Sequence, residues 1–250
     1  MQQSKSTGTI QRTEVKCSIC KDTGMEPLGD NLYRKCKCAE IEYLKRLWAN
    51  FGVKDEDVKK LNDYKPFDDV TKMAKDKAVQ YIKDFDALKG NRENSFGLYG
   101  QSGSGKTHII VAIGSALLNR VGSPVPVVYM PYVEAMKELK ANTMDTEYYT
   151  KLVTRYQKTK LLIIDDLFKD KTRNGVLVGQ LSEADLRHIY PIINYRYLNH
   201  LPIIFSTECN PNMLEELDEA IAGRILQTCG DNITIFSGKK YNYRMRKFEK

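Results

Sequence analysis

The chain of 250 residues is long enough for one or two domains with a substantial buried core. Hydrophobic residues make up 42% of it and charged residues 28%, values that exclude a largely disordered chain, a collagen and a small disulfide scaffold. Its formal net charge of +7 is compatible with an anionic partner but does not identify one.

The positive charge is concentrated at the C-terminal end of the sequence. Residues 93–238 contain 14 basic and 16 acidic side chains, whereas residues 239–250 contain 6 basic and 1 acidic. This distribution favours phosphate binding, to a nucleotide or to DNA, at one end of the chain over a generally basic surface.

The N-terminus lacks the features of a targeting sequence. Residues 1–16 are polar and contain no apolar segment of the kind found in a signal peptide. No segment of the chain approaches the roughly 18 consecutive apolar residues of a membrane-spanning helix. The sequence therefore predicts a cytoplasmic protein with no membrane partner, and residues 1–16 are expected to be a flexible tail.

Four of the six cysteines lie within residues 17–40, and their spacing predicts a zinc-binding module. Cys17 and Cys20 form a C-x₂-C pair and Cys36 and Cys38 a C-x-C pair, an arrangement that suits a tetrahedral Cys₄ zinc site. Too few apolar residues surround them for the module to fold without metal. A redox-active pair is the main alternative, although no βαβ pattern surrounds the cysteines.

Residues 41–92 are predicted to form a helical linker. Apolar residues recur at helical spacing over residues 41–51 and again over residues 71–88, where Gly90 follows the second pattern. Segment 64–70 precedes the next domain closely enough to be a candidate for contacting an adenine base.

Residues 93–250 alternate short apolar runs with helical patterns, which predicts an α/β domain. The runs SFGLYG, PVVYM, KLLIID, LPIIFST and NITIF have the length and composition of buried parallel strands. Helical patterns separate them at about 105–120, 131–157 and 182–199. This order predicts a doubly wound parallel sheet, whose ligands bind at the carboxyl ends of the strands.

The segment GQSGSGKT follows the first of these strands and matches the phosphate-loop pattern G-x-x-x-x-G-K-[ST]. In such a loop, glycines allow a tight turn that directs backbone N–H groups at phosphate oxygens. Lys106 is expected to bind the β and γ phosphates, and the Thr107 hydroxyl is expected to bind Mg²⁺. The candidate nucleotide-binding residues are Gly100, Gln101, Ser102, Gly103, Ser104, Gly105, Lys106, Thr107 and His108.

Asp165 and Asp166 end the apolar run LLIIDD, and two adjacent carboxylates on a buried strand are costly unless they meet a cation. Asp165, with Thr107, is therefore the candidate Mg²⁺ ligand. Asp166 is the candidate base or water-orienting group for attack on the γ phosphate, and a simple turn cap is the alternative. Together with the phosphate loop, these residues predict an ATPase that binds ATP, ADP and Mg²⁺.

Over nearly its whole length the sequence resembles bacterial and phage replicative-helicase loaders of the DnaC/DnaI type, which belong to the AAA+ ATPases. The resemblance rests on the cysteine module, the phosphate loop, LLIIDDLF, INYRYLNHLPIIFSTE, DEAIAGRI and YNYRMR. It implies an AAA+ domain over residues 93–250 with a central parallel sheet and no full helical lid. IstB transposition ATPases are similar over the ATPase half alone.

The resemblance also assigns roles to individual residues. Thr207 corresponds to sensor 1, the polar residue that contacts the γ phosphate, with Ser206 and Glu208 beside it as alternatives. Arg224 in AGRI matches the arginine finger, which reaches the nucleotide of a neighbouring subunit. Arg244 in YNYRMR resembles the arginine that senses nucleotide after the last strand. For both arginines, a solvated basic side chain is the alternative interpretation.

The function implied by the resemblance is that of an ATP-dependent loader, which places a replicative helicase hexamer on single-stranded DNA during replication initiation. Self-association into a ring or spiral and slow hydrolysis by isolated subunits are implied as well, with residues 17–92 contacting the helicase. A transposition helper ATPase acting with a transposase on DNA is the alternative. A small-molecule kinase would need a lid of its own, and a zinc adaptor would leave the phosphate loop unexplained.

Two groups of basic and aromatic residues are candidates for contacts with single-stranded DNA, because basic side chains follow phosphates and aromatic rings stack on bases. For each group, a solvated surface is an equally good interpretation. The candidates are Lys169, Lys171 and Arg173 after LLIIDD, and Tyr148, Tyr149, Lys151 and Arg155 before it.

Overall fold

The structure, a computed structural model, describes residues 15–245, apart from the side chain of Lys239. The chain forms two compact units, one ending at Arg46 and the other beginning at Leu47. The predicted flexible tail lies outside the described residues, except for its last two positions. Within the described range, no helix is long and apolar enough to cross a membrane.

The first unit contains a two-stranded hairpin and the beginning of a helix. Asp30 and Asn31 connect the strands with φ angles of 45° and 60°, the left-handed backbone that a two-residue hairpin turn requires. Beyond the hairpin, the amide of Cys36 donates to the carbonyl of Gly24 at 2.8 Å, which draws the two cysteine-bearing segments together. Its elements are β1 (Met25–Gly29), β2 (Leu32–Lys35) and the first part of α1 (Lys37–Phe51).

The second unit is built around a five-stranded sheet with the order β4, β5, β8, β3, β9, in which every pair is parallel. A short antiparallel hairpin, β6–β7, lies outside it. The elements after α1 are α2 (Asp69–Leu88), β3 (Phe96–Gly100), α3 (Lys106–Leu118), β4 (Val127–Pro131), α4 (Tyr132–Ala141), α5 (Thr146–Lys158), β5 (Leu161–Leu167), β6 (Thr172–Arg173), β7 (Val176–Leu177), α6 (Glu183–Leu198), β8 (Ile203–Thr207), α7 (Pro211–Leu217), α8 (Glu219–Cys229) and β9 (Ile233–Phe236).

The predicted fold class is confirmed, because the five apolar runs all form strands of the parallel sheet. The helix predicted over residues 131–157 is instead two helices, α4 and α5, separated by residues 142–145. The side chain of Asp145 accepts a hydrogen bond from the amide of Tyr148 at 3.0 Å and caps the start of α5. A capping residue inside the helical pattern therefore divides it.

Residues 47–92, expected to form part of a linker, belong to the same compact unit as the phosphate loop. Helix α2 presents an apolar face that packs on α3 and β9. The hydroxyl of Tyr81 donates to the carbonyl of Asn94 at 2.7 Å, and its ring packs on Phe96 with 5.5 Å between centroids. Burial of this face fixes the segment on the ATPase sheet.

Among the described residues of the second unit, the charged side chain of Arg196 is fully buried. Arg196 in α6 has 0% exposure, and burial lowers its pKa to about 9. Its two terminal nitrogens donate to backbone carbonyls at distances of 2.6 to 3.1 Å, which ties the end of α5 and the start of β8 to α6, whereas its buried Nε has no hydrogen-bond partner in the described part of the chain. The accepting carbonyls are those of Tyr156, Gln157, Thr159 and Pro202.

Candidate nucleotide and metal sites

The phosphate loop connects β3 to α3 at the carboxyl edge of the sheet. Gly100 has a φ of 130° and Gly105 a φ of 84°, values that other residues rarely adopt. A Cβ atom on Gly100 would lie 2.3 Å from the carbonyl oxygen of Phe236, and one on Gly105 would lie 2.9 Å from the ring of Tyr64. Both the backbone and its neighbours therefore require glycine at these positions.

Lys106 begins α3 and is buried within the loop. Its ammonium group donates to the carbonyls of Gly100 at 2.6 Å and Gln101 at 2.9 Å. Burial lowers its pKa to about 8, and the charge of Asp166 opposes that shift. A bound phosphate would add negative charge beside the ammonium and favour its charged form, as the role of a phosphate ligand requires.

The carboxylate of Asp165 is held by three hydroxyl groups. Its Oδ1 accepts from Thr107 at 3.0 Å and from Ser206 at 2.5 Å, and its Oδ2 accepts from Tyr129 at 2.7 Å. Hydroxyl and carboxylate oxygens are the hard ligands that Mg²⁺ prefers, and those of Thr107 and Asp165 are already adjacent. The pair fits a Mg²⁺ ion at this edge of the sheet.

Asp166 follows at a break in the strand pairing. The ladder between β5 and β8 is irregular from Ile164 to Leu167, and Asp166 has a φ of 55°. Its backbone amide donates to the hydroxyl of Ser206 at 2.8 Å. Burial raises the pKa of the Asp166 carboxyl group, and the charge of Asp165 raises it further. A higher proton affinity suits a group that orients or deprotonates water.

The end of β8 carries Thr207, the residue predicted to be sensor 1, and its neighbour Ser206. Thr207 is fully buried and its hydroxyl donates to the carbonyl of Leu167 at 2.8 Å, so its role as sensor 1 stays a prediction. Ser206 contacts the carboxylate of Asp165 instead. Because successive side chains of a strand point to opposite faces, Ser206 and not Thr207 faces the acidic residues of β5.

A cavity of about 930 Å³ opens beside the phosphate loop. Residues 100–102 of the loop line one part of it, and Lys169, Arg173 and Glu208 line another. Glu208 is ion-paired with Lys169 inside this cavity. Glu208, one of the alternatives for sensor 1, thus lies beside the phosphate loop with its charge neutralised by Lys169.

Residues of the predicted linker lie against the start of α3. The ring of Tyr64 is edge-on to that of His108, with 5.5 Å between centroids. The Nε2 atom of His108 forms a 2.9 Å hydrogen bond with the carbonyl of Lys60. The beginning of segment 64–70, the candidate for contacting adenine, is thus next to the phosphate loop.

The C-terminal segment also reaches the phosphate loop. The amide of Tyr243 donates to the carbonyl of Gly103 at 3.0 Å, and Lys240 forms a 2.9 Å ion pair with Asp68. Arg244 follows directly and is exposed. The described part of the basic tail is therefore held beside the nucleotide site, and its remainder lies outside the described residues.

Arg224 is held on α8, away from the phosphate loop of its own subunit. Its Nε donates to Asn194 at 3.0 Å, and its other nitrogens donate to the Ala220 carbonyl at 2.7 Å and the Tyr190 hydroxyl at 3.1 Å. The guanidinium also lies 5.2 Å from the ring centre of Tyr190 and 5.4 Å from that of Tyr197. Each guanidinium nitrogen of Arg224 therefore has a partner within its own chain, and its contact with a neighbouring subunit stays a prediction.

The four clustered cysteines of the first unit converge on one point. Their sulfur atoms all lie within 4.8 Å of one another, with Cys17 and Cys36 at 3.8 Å and Cys20 and Cys38 at 3.3 Å. Zinc–sulfur bonds of about 2.3 Å in a tetrahedron separate sulfur atoms by roughly 3.8 Å. The spacing of the four sulfur atoms therefore fits a Cys₄ metal site.

Most of the candidate DNA-contacting residues are engaged within the chain, whereas Arg173 in β6 and Lys151 in α5 are exposed. DNA would therefore have to compete with these intramolecular partners, and contact with DNA stays a prediction for both groups. The partners are Glu208 for Lys169, Asp170 and Asp185 for Lys171, Glu138 for Tyr148, His188 for Tyr149 and Asn50 for Arg155.

These features define the class of the protein. A phosphate loop between β3 and α3, a Thr–Asp pair suited to Mg²⁺, and a parallel sheet in which β8 separates the phosphate-loop strand from β5 are those of an AAA+ P-loop ATPase. The family model described as IstB-like ATP binding protein matches residues 52–246. The chain therefore belongs to the IstB-like ATP-binding family and is an ATPase.

Two proteins of Bacillus subtilis (strain 168) are similar over most of the chain. The protein YqaM is 38% identical over 240 residues, which are 92% of this chain and 72% of YqaM. The phage-like element PBSX protein XkdC is 33% identical over 242 residues, which are 92% of this chain and 85% of XkdC.

Three solved structures share the fold. The crystal structure of DnaI has a TM-score of 0.60 at 22% identity and covers 77% of this chain and 95% of its own. That of the DnaC helicase loader has a TM-score of 0.58 at 20% identity, with coverage of 77% and 99%. The replication initiator DnaA bound to AMPPCP and single-stranded DNA has a TM-score of 0.58 at 16% identity, with coverage of 79% and 56%.

Proposed function

We propose that this protein is an ATP-dependent loader that places a replicative DNA helicase on single-stranded DNA when replication begins. The observation that carries the proposal is the match to 99% of the solved DnaC helicase loader chain, combined with an intact phosphate loop and Thr–Asp pair. DnaI is matched over 95% of its chain in the same way.

ATP acts as the switch of this loader. Lys106 and the loop amides bind the β and γ phosphates, and Thr107 and Asp165 hold Mg²⁺, which neutralises phosphate charge when bound. Asp166 orients or deprotonates the attacking water. The hydroxyl of Tyr129, which sequence reasoning did not identify, and that of Ser206 fix the orientation of the Asp165 carboxylate.

Hydrolysis is slow in an isolated subunit and faster in a ring or spiral of subunits. Arg224 then contacts the nucleotide of the neighbouring subunit and neutralises charge that develops in the transition state. Arg244, carried on the segment that bonds to Gly103, responds to the nucleotide of its own subunit.

The cysteine module is the helicase-contacting part. Zinc bound by Cys17, Cys20, Cys36 and Cys38 would supply the folding energy that its small core lacks. Its hairpin leaves Leu28 54% exposed, Leu32 64% and Tyr33 60%, and an apolar surface of this kind indicates a protein partner.

A transposition helper ATPase remains the second candidate, because the matching family is described by its likeness to IstB. The family match begins at residue 52 and leaves the cysteine module outside it. In a helicase loader the cysteine module would have a function, namely contact with the helicase. The proposal of a transposition helper ATPase assigns the module no function.

The test is co-purification of the full chain with its cognate replicative helicase in the presence of ATP. Leu28→Glu and Leu32→Glu are each expected to weaken the complex about tenfold, because each places a charge in an apolar contact. Val121→Glu, at a fully exposed position of the second unit, is the matched control and should have no effect. Absence of any complex with the unmodified chain would contradict the proposal, and binding of a transposase instead would favour the second candidate.

A further inference from the structure

A salt bridge between Lys169 and Glu208 lies in the cavity beside the phosphate loop. Glu208 directly follows β8, and its side chain is only 8% exposed, whereas that of Lys169 is 35% exposed. Lys169 begins the 3₁₀ turn after β5, where Phe168 has a φ of 59°. Two strand ends that flank the nucleotide site therefore each contribute one member of the pair.

The charges of Lys169 and Glu208 act on Lys106 of the phosphate loop. Burial lowers the pKa of Lys106, the charges of Asp166 and Glu208 oppose that shift, and the charge of Lys169 adds to it. A carboxylate as buried as that of Glu208 is costly without a partner, and it would repel a phosphate placed next to it. The ion pair with Lys169 offsets the cost of burying the Glu208 carboxylate and reduces its repulsion of a phosphate.

We propose that Lys169 is a ligand of the γ phosphate and that Glu208 is the residue that positions it. An ammonium group has three N–H donors, so Lys169 can keep its bond to Glu208 and donate to a phosphate oxygen at the same time. Lys169, whose side chain is 35% exposed, lines the same cavity as residues 100–102 of the phosphate loop. The interaction is a charge-assisted hydrogen bond of the kind that makes lysine an effective phosphate ligand.

The consequence is a preference for ATP over ADP that depends on Lys169. ADP lacks the phosphoryl group that this lysine would bind, so loss of the ammonium should weaken ATP binding and leave ADP binding nearly unchanged. The proposed role of Lys169 concerns nucleotide binding alone. It can therefore be wrong while helicase loading is correct, and it can be correct while helicase loading is wrong.

The test compares three variants, Lys169→Met, Glu208→Gln and the double variant, by their affinities for ADP and for an ATP analogue with a non-hydrolysable β–γ link. Lys83→Met, at an exposed position of α2, is the matched control for loss of one lysine charge. Thermal unfolding of each variant separates loss of binding from loss of folding, which is a risk for Lys169→Met because it leaves Glu208 without its partner.

We expect the double variant to lose about tenfold in analogue affinity relative to ADP, the size of one charge-assisted hydrogen bond. Glu208→Gln should keep or increase the preference for the analogue, since the amide oxygen still accepts from Lys169 while the repulsive charge is gone. A double variant with the analogue-to-ADP ratio of the unmodified chain would overturn the proposal, because Lys169 would then serve only to neutralise Glu208.

Discussion

Replacement of Arg224 by alanine is expected to slow ATP hydrolysis by self-assembled protein about 10³-fold. The guanidinium is held between α8 and α6, by Ala220 of α8 and by Tyr190 and Asn194 of α6, and has no hydrogen bond to its own phosphate loop. Its effect should therefore appear only when subunits meet, as a dependence of the specific rate on protein concentration. Arg187→Ala, at an exposed position of α6, is the matched control and should hydrolyse ATP normally.

Mixing variants separates action between subunits from action within one subunit. Arg224→Ala keeps its nucleotide site, and Lys106→Met keeps its arginine, so an interface between the two would contain one complete site. We expect the mixture to regain activity that neither variant has alone. A mixture as inactive as its components, although assembled, would contradict the role of Arg224 in a neighbouring site.

Lys106→Met should weaken ATP binding at least about 100-fold, equivalent to about 2.7 kcal/mol, because two charge-assisted phosphate contacts disappear. Without nucleotide the same ammonium bonds to the carbonyls of Gly100 and Gln101, so the loop loses those contacts as well. Calorimetric titration with ATP and Mg²⁺ measures the affinity. Thermal unfolding measures whether the loop change spreads to the rest of the unit.

Lys83→Met again serves as the control for the loss of one lysine. Retention of ATP affinity within a few-fold of the unmodified chain would contradict the account of the site, since Lys106 would then not contact the phosphates. Equal losses for both lysine variants would point to a general effect of charge on binding.

The sheet and the phosphate loop could be predicted because their determinants are local. Short continuous apolar runs are typical of buried parallel strands, and all five runs form strands of the parallel sheet. The phosphate loop is recognisable because no other residue can replace its glycines. At Gly100, for example, any side chain would clash with the carbonyl of Phe236.

The rest of the site depends on strand register, which a single sequence does not determine. Ser206 and Thr207 are adjacent residues that both carry a hydroxyl group, so the sequence does not distinguish them. The irregular pairing of β5 with β8 decides which of them faces Asp165. Tyr129 meets the same carboxylate from β4, at a separation of 36 residues, and no motif marks it. Contacts of this kind become visible only when the strands are placed side by side.

We propose that ATP binding by this chain drives the placement of a helicase on DNA. The most direct measurement is retention of the cognate hexameric helicase on closed circular single-stranded DNA after a high-salt wash, which removes helicase that does not encircle the strand. We predict retention with the full chain and ATP, and little retention with ADP or with Lys106→Met. Retention that is the same without the chain, or with Lys106→Met in its place, would contradict the account.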